Sequence, residues 1–132
     1  METLSIQTRQ RNEFVYITER VSEVLRRKAV QQGICVVYCP HTTAAVTINE
    51  NADPDVVHDM LLWLERSIPK QQAGFRHAEG NSDSHIKSSL VGASVTLLVD
   101  KGELVLGRWQ GVYFCEFDGP RNRQVFVQIL GE

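Results

Sequence analysis

Short runs with strand character dominate the chain, some alternating between apolar and polar residues and others continuously apolar. In the first half, the predicted strands cover residues 3–9, 14–17, 34–39 and 44–49. In the second half, they cover residues 94–100, 104–106, 112–117 and 124–130. Because turn residues separate these last four runs, the second half predicts a β-meander.

Helical spacing is confined to the first two-thirds of the chain, where helices are predicted over residues 18–32, 53–68 and about 82–91. The second helix has the clearest start, because Asp53 is a favourable cap and Pro54 suits the first helical position. Gly33 is expected to end the first helix. With no internal repeat or linker, the pattern predicts one α+β domain spanning residues 1–132.

Composition narrows the class of protein without identifying it. The chain is 42% apolar and 23% charged, and no run approaches the roughly 18 apolar residues of a membrane-spanning helix. A formal net charge of −2 argues against a broad nucleic-acid surface. The first residues lack a secretory signal pattern, so we expect a cytoplasmic protein. Cys35, Cys39 and Cys115 then read as small buried apolar residues in a reducing compartment.

Histidines from three segments carry the candidate chemistry. His77 lies in a loop, and His85 lies within the predicted third helix, where it shares a face with Asn81. His41 follows a buried strand at a proline and is expected at the rim of a sheet. Together the three imidazoles could bind a divalent metal such as zinc or magnesium, act in acid–base or substrate-binding roles, or be purely structural.

A carboxylate and several cations provide further candidates. Glu116 lies in an apolar run, so it is either on a solvated strand face or buried with a cationic partner, and it is our candidate general base. Arg121 and Arg123 follow a Gly-Pro turn; the pair is either a solvated hairpin tip or, with Lys87, part of a phosphate pocket. Backbone amides at the start of the third helix would add to such a pocket.

Six motifs follow one another along the chain in a family-specific order. They are His41-Thr-Thr-Ala-Ala-Val-Thr-Ile-Asn-Glu-Asn51, Asp53-Pro54, His77 with Glu79-Gly80-Asn81, Ser84-His-Ile-Lys-Ser-Ser89, Leu106-Gly-Arg-Trp-Gln-Gly111 and Glu116-Phe-Asp-Gly-Pro-Arg121. In this order they resemble the YjbQ family, whose members are catalogued as secondary thiamine-phosphate synthases. The resemblance extends over nearly the whole chain, from about residue 5 to 130.

This resemblance implies a fold, an assembly and a site. The fold is a mostly antiparallel β-sandwich with two to three helices, assembled as a homotrimer. The site is implied to lie between subunits, with a divalent metal in some members, and to contain His41, Glu50, His77, Asn81, His85, Trp109, Gln110 and Glu116. Trp109 could stack on a pyrimidine ring, although it could equally belong to the core or an interface.

The implied reaction joins hydroxymethylpyrimidine diphosphate to thiazole phosphate and releases pyrophosphate. The expected partner is therefore a small phosphorylated metabolite rather than nucleic acid or a membrane. Two alternatives stay open at this point. The first is a metal-assisted hydrolase in which His41, His77 and His85 hold the ion. The second is a protein that binds a phosphorylated metabolite without catalysis.

Overall fold

Eight strands and three helices make up the fold in a computed structural model that describes all 132 residues. The helices are Thr18–Lys28 (α1), Pro54–Ser67 (α2) and Ser82–Val91 (α3). The strands are Glu2–Gln7 (β1), Glu13–Tyr16 (β2), Gln32–Tyr38 (β3), Ala44–Glu50 (β4), Ser94–Asp100 (β5), Glu103–Leu104 (β6), Gln110–Glu116 (β7) and Asn122–Gly131 (β8). Every predicted element is present, with ends that differ by a few residues.

The strands form two sheets that pack face to face. The larger sheet has the order β1-β8-β3-β5-β6 and the smaller one the order β2-β7-β4, and all pairs are antiparallel. A core of 17 buried residues joins their inner faces, with Val37 and Val127 from the larger sheet against Val46 and Phe114 from the smaller. The expected α+β fold with a mostly antiparallel β-sandwich is thus confirmed.

The central strand of the smaller sheet is buried on both faces. Val112 and Phe114 point into the core between the sheets, whereas Tyr113 and Cys115 belong to a second cluster with Leu64 of α2. Because helices cover the outer face of this sheet, β7 has no solvated side after its exposed first residue, Gln110. A polar residue in β7 must therefore find its partners inside the protein.

Local sequence explains where the helices begin and end, with one correction. The Asp53 carboxylate accepts a hydrogen bond from the Asp55 backbone N–H at 2.9 Å, as expected of a cap before Pro54. The prediction that Gly33 ends α1 is wrong. Ala29 ends it in a left-handed conformation (φ 54°), and its N–H bonds the carbonyl groups of Leu25 and Arg26. Gly33 lies within β3 instead.

The remaining general expectations concern membranes and thiols. None of the three helices is long and apolar enough to cross a membrane. Cys35, Cys39 and Cys115 are free thiols in the protein interior, as predicted. Burial raises the pKa of the Cys35 thiol to about 11, so this group is an inert, protonated core residue near neutral pH.

Candidate functional site

The three candidate histidines line one cavity of about 390 Å³. Loop residues contribute His41 and His77, and the first turns of α3 contribute Asn81 and His85. The turn between β7 and β8 and the start of β8 contribute Arg121 and Arg123. The other lining residues are Pro40, Thr42, Thr43 and Glu79. The structure therefore brings together three separate stretches of the chain, residues 40–43, 77–85 and 121–123, in a cavity that is almost entirely polar.

His41 is held in one tautomer by the backbone of β8. Its Nε2 accepts a hydrogen bond from the Gln124 N–H at 3.0 Å, so the ring proton of the neutral imidazole must be on Nδ1. Burial lowers the pKa of His41, and the nearby Arg123 lowers it further. Near neutral pH, His41 therefore offers a neutral Nδ1–H donor, and its Nε2 lone pair is already in use.

We expect nuclear magnetic resonance to report this tautomer directly. At pH 7.5, long-range proton–nitrogen spectra should show His41 with a protonated Nδ1 and an unprotonated Nε2, and its titration midpoint should lie below 6.5. Since the lowered pKa disfavours protonation of the folded state, His41 stabilises the fold above about pH 6.5, and this contribution is lost as the pH falls. The resonance is assigned by its loss in His41→Gln. Protonation on Nε2 would contradict the arrangement.

The other two histidines are close neighbours, but the set does not form a metal centre. The rings of His77 and His85 lie 5.4 Å apart between centroids and almost perpendicular, at 87°. No three histidine, cysteine, aspartate or glutamate side chains are arranged to hold a metal ion. Since His41 Nε2 faces a backbone donor, the expected His41, His77 and His85 ligand set does not fit this arrangement.

Glu116 does not have the surroundings of a general base, contrary to our expectation. Its carboxylate lies between the sheets and accepts hydrogen bonds from Arg123 Nε at 2.8 Å, Thr8 Oγ1 at 2.8 Å and the Asp118 N–H at 2.9 Å. Burial by itself would raise the pKa of Glu116, but these hydrogen bonds hold it below its usual range. The group is an ionised counter-charge that fixes Arg123 beneath the cavity.

Lys87 is also placed differently from the expectation. The side chain is 1% exposed, and its Nζ lies 3.0 Å from Asp83 Oδ2 and 3.3 Å from Asn12 Oδ1. Arg11 binds the same Asp83 carboxylate through two nitrogens, at 2.9 and 3.0 Å. Lys87 thus anchors α3 to the loop after β1 and does not reach the cavity, so its proposed part in phosphate binding is wrong within a single chain.

Trp109 and Gln110 lie at the far end of β7 from the cavity. In the β4–β7 ladder Gln110 pairs with Glu50, while Glu116 ends the strand beside the cavity, about 20 Å away at the usual rise per residue. Trp109 is exposed, with the guanidinium carbon of Arg108 at 4.6 Å from its ring. Gln110 lines a larger cavity of about 630 Å³ beside α1. The chain alone does not join these residues to the histidines.

Asp118 is a site residue that the sequence analysis missed. Its Oδ2 accepts hydrogen bonds from Asn81 Nδ2 at 2.7 Å and from Arg121 Nη2 at 2.8 Å. Arg121 Nε also donates to the Asp118 carbonyl oxygen at 2.9 Å. An aspartate in a Gly-Pro turn is an ordinary turn residue, and only its place in the last motif associated it with the site.

The fold and the cavity together define a class: small α+β sandwich proteins with a polar cavity of imidazole and guanidinium groups at one end of the sheets. Residues 2–132 match the family described as UPF0047 protein YjbQ-like. The chain therefore belongs to the YjbQ (UPF0047) family, which confirms the resemblance of its motifs.

Close relatives cover nearly the full chain. The Bacillus subtilis protein YugU is 49% identical over 131 residues, or 99% of each chain. The Methanocaldococcus jannaschii protein MJ1081 is 52% identical over 127 residues, covering 96% of this chain and 91% of the relative. A crystal structure from Clostridium acetobutylicum, described as an uncharacterized conserved protein of the YjbQ/UPF0047 family, is 48% identical. It superimposes with a TM-score of 0.96 over 98% of this chain and 100% of that one.

Proposed function

We propose that the cavity binds the phosphate or pyrophosphate group of a small phosphorylated metabolite. The observation that carries this proposal is the convergence of Arg121, Arg123 and the histidines on a cavity almost free of apolar side chains. Each arginine is oriented by a carboxylate, Asp118 or Glu116, and neither Nη1 has a partner within the chain. Pre-oriented guanidinium donors of this kind suit phosphate oxygens.

The motifs lead to a more specific proposal for the reaction. A thiamine-phosphate synthase-like transfer releases pyrophosphate, so the enzyme must stabilise negative charge on the leaving group. Arg121 and Arg123 are the residues we assign to that task, and His85 is the candidate proton donor. A second candidate is binding without catalysis. It is favoured by the state of Glu116, because this general-base candidate is already hydrogen-bonded and has a lowered pKa.

The proposal predicts that pyrophosphate stabilises the protein. One millimolar pyrophosphate should raise the melting temperature by several degrees if the dissociation constant is about ten micromolar, because a ligand that binds only the folded state stabilises it. Arg121→Ala should weaken binding about tenfold through loss of a charge-assisted contact. Arg20→Ala, which removes an exposed arginine of α1, is the matched control. An unchanged melting temperature in wild type with either phosphate or pyrophosphate would refute the proposal.

Turnover of the two thiamine precursors separates catalysis from binding alone. Release of pyrophosphate by wild type and its loss in His85→Ala would support the transferase. Binding of pyrophosphate with no turnover in wild type would leave the non-catalytic candidate. Metal analysis of untagged protein belongs to the same experiment, since the resemblance implies a divalent metal in some members of the family.

We also propose that the chain assembles as a homotrimer through the outer face of the larger sheet. Leu98 and Leu130 are 61% and 54% exposed there and lie directly opposite Ile34 on the two neighbouring strands. Tyr38 and Phe126 stack on the same face, with centroids 6.4 Å apart. Exposed apolar patches of this kind mark interfaces. Such an assembly could bring Trp109 and Gln110 of one subunit close to the cavity of another.

Placing a charge on this face should break the assembly. Light scattering after size-exclusion chromatography should give wild type three times the mass of the chain and Leu98→Asp the mass of one chain, because a buried unpaired carboxylate is costly in an interface. Trp63→Asp changes an exposed apolar residue of α2 and should leave the trimer intact. A monomeric wild type would contradict the proposal, as would a Leu98→Asp protein that stays trimeric.

A further inference from the structure

One buried side-chain polar atom has no hydrogen-bond partner within the chain, and its residue, Asn81, lines the cavity. Asn81 is 7% exposed and contributes to the cavity wall, yet its side-chain Oδ1 accepts no hydrogen bond. Buried polar atoms are almost always paired, so an exception at a candidate site points to a missing donor.

The orientation of this amide is fixed by its neighbours. Asn81 Nδ2 donates to Asp118 Oδ2 at 2.7 Å, and Arg121 Nη2 holds the same oxygen at 2.8 Å. An ionised carboxylate only accepts hydrogen bonds. Rotating the amide by half a turn would therefore place two acceptor oxygens against each other. The unpaired atom is the acceptor, Oδ1, and what it requires is an N–H or O–H group.

The backbone of α3 does not supply this donor. Asn81 is the N-cap of the helix, and an asparagine in that position commonly accepts a hydrogen bond from a first-turn N–H. Here the side chain makes no capping bond, and its amide nitrogen donates to Asp118 instead. Because the Asn81 side chain does not cap α3, its Oδ1 remains free to accept a hydrogen bond from a bound molecule.

The hydrogen-bond donors and acceptors of the cavity indicate what kind of ligand it binds. Arg121, Arg123 and the Nδ1–H of His41 are donors and suit anionic oxygens, whereas Asn81 Oδ1 is a buried acceptor among them. Building on the proposed phosphate binding, we infer that the ligand is a phosphate ester whose carbon skeleton carries a hydroxyl or amino group. Asn81 accepts that group's hydrogen bond and is the specificity-determining residue of the site.

Matched phosphate esters test this inference by isothermal titration calorimetry on the wild-type protein. Ethanolamine phosphate and ethylene glycol phosphate carry a donor, and ethyl phosphate is nearly the same size without one. Glycerol phosphate and propyl phosphate repeat the comparison with a longer skeleton. In at least one pair, the donor-bearing ester should bind about tenfold more tightly, because it pairs a buried acceptor that the other leaves unpaired.

Asn81→Ala should abolish this preference, so that the donor-bearing ester and its matched partner without a donor bind the variant with equal affinity. Circular dichroism establishes that the variant is folded, and the wild-type comparison stands whether it folds or not. Equal affinities for esters with and without a donor would overturn the inference but not the phosphate site. A preference that persists in folded Asn81→Ala would overturn the role of Asn81. If no ester and no inorganic phosphate binds, the proposed function itself fails.

Discussion

Replacing Glu116 with glutamine should lower the free energy of unfolding by about 3–5 kcal/mol, because it removes one partner from a buried ion pair. Glu116 is 0% exposed and the Arg123 side chain is 3% exposed. The variant would leave the guanidinium group buried without its counter-charge, and glutamine cannot accept all the hydrogen bonds that the carboxylate accepts. Urea denaturation at pH 7, followed by circular dichroism, measures the change.

Two further variants show that the loss comes from the unpaired charge. Glu103→Gln, at an exposed position in β6, should change stability by less than about 0.5 kcal/mol. Combining Glu116→Leu with Arg123→Met should give a more stable protein than Glu116→Leu alone, because no charge is left buried. A loss below about 1 kcal/mol in Glu116→Gln would show that the ion pair does not hold the two sheets together.

The same ion pair should make the fold acid-sensitive. The folded-state pKa of Glu116 is lowered, so the unfolded chain takes up its proton first as the pH falls. The stabilisation is fully present above about pH 4.5, the ordinary value for this group, and is lost as the pH falls through the lowered pKa. The stability of wild type should therefore fall more steeply than that of Glu116→Gln below about pH 4.5.

Local sequence patterns were sufficient to predict the helices and strands, but not always the residues at which they end. The start of α2 was predictable because Asp53 and Pro54 act through contacts within one turn. The end of α1 was not, because Ala29 adopts a left-handed conformation that sequence normally assigns to glycine. What fixes it is tertiary: α1 packs Val21 and Leu25 into the core, and the chain must then turn to enter β3.

Burial was harder to predict than secondary structure. The apolar run left open whether Glu116 faces solvent. In the fold it lies on the same face of β7 as Val112 and Phe114, which points between the two sheets, where Arg123 of β8 is its partner. Lys87 was assigned to the cavity from its charge, whereas its position in α3 places it four residues from Asp83 and inside the protein. Neither position was predictable, because a sequence shows charge directly, while pairing depends on segments that meet only in the fold.

The part of the candidate site that lies near the ends of strands and helices was predictable from the sequence. His41 after β3 and the His77-to-His85 segment before and within α3 meet in one cavity. Trp109 does not join them, because strand register places it at the opposite end of the smaller sheet. The tautomer of His41 depends on one hydrogen bond from the Gln124 backbone, and the orientation of the Asn81 amide depends on one hydrogen bond to Asp118. No local sequence pattern indicates either bond.

Asp83→Asn should destabilise the protein by about 3–5 kcal/mol, and Lys87→Met by only about 1–2 kcal/mol. The difference follows from what each variant leaves behind. Without the Asp83 carboxylate, the Lys87 ammonium stays buried with Asn12 as its only other partner. Without Lys87, the Asp83 carboxylate keeps both hydrogen bonds from Arg11. Urea denaturation of the two variants beside wild type measures both losses.

The Lys87→Met variant also separates an anchoring role from a binding role. If Lys87 only secures α3, the variant should bind pyrophosphate with an affinity within about twofold of wild type, while Arg121→Ala loses about tenfold. A tenfold loss of affinity in folded Lys87→Met would show that the ammonium group reaches the ligand, which requires α3 to open or a second subunit to reshape the cavity. Equal losses of stability in Asp83→Asn and Lys87→Met would show that Arg11 does not compensate for the missing lysine.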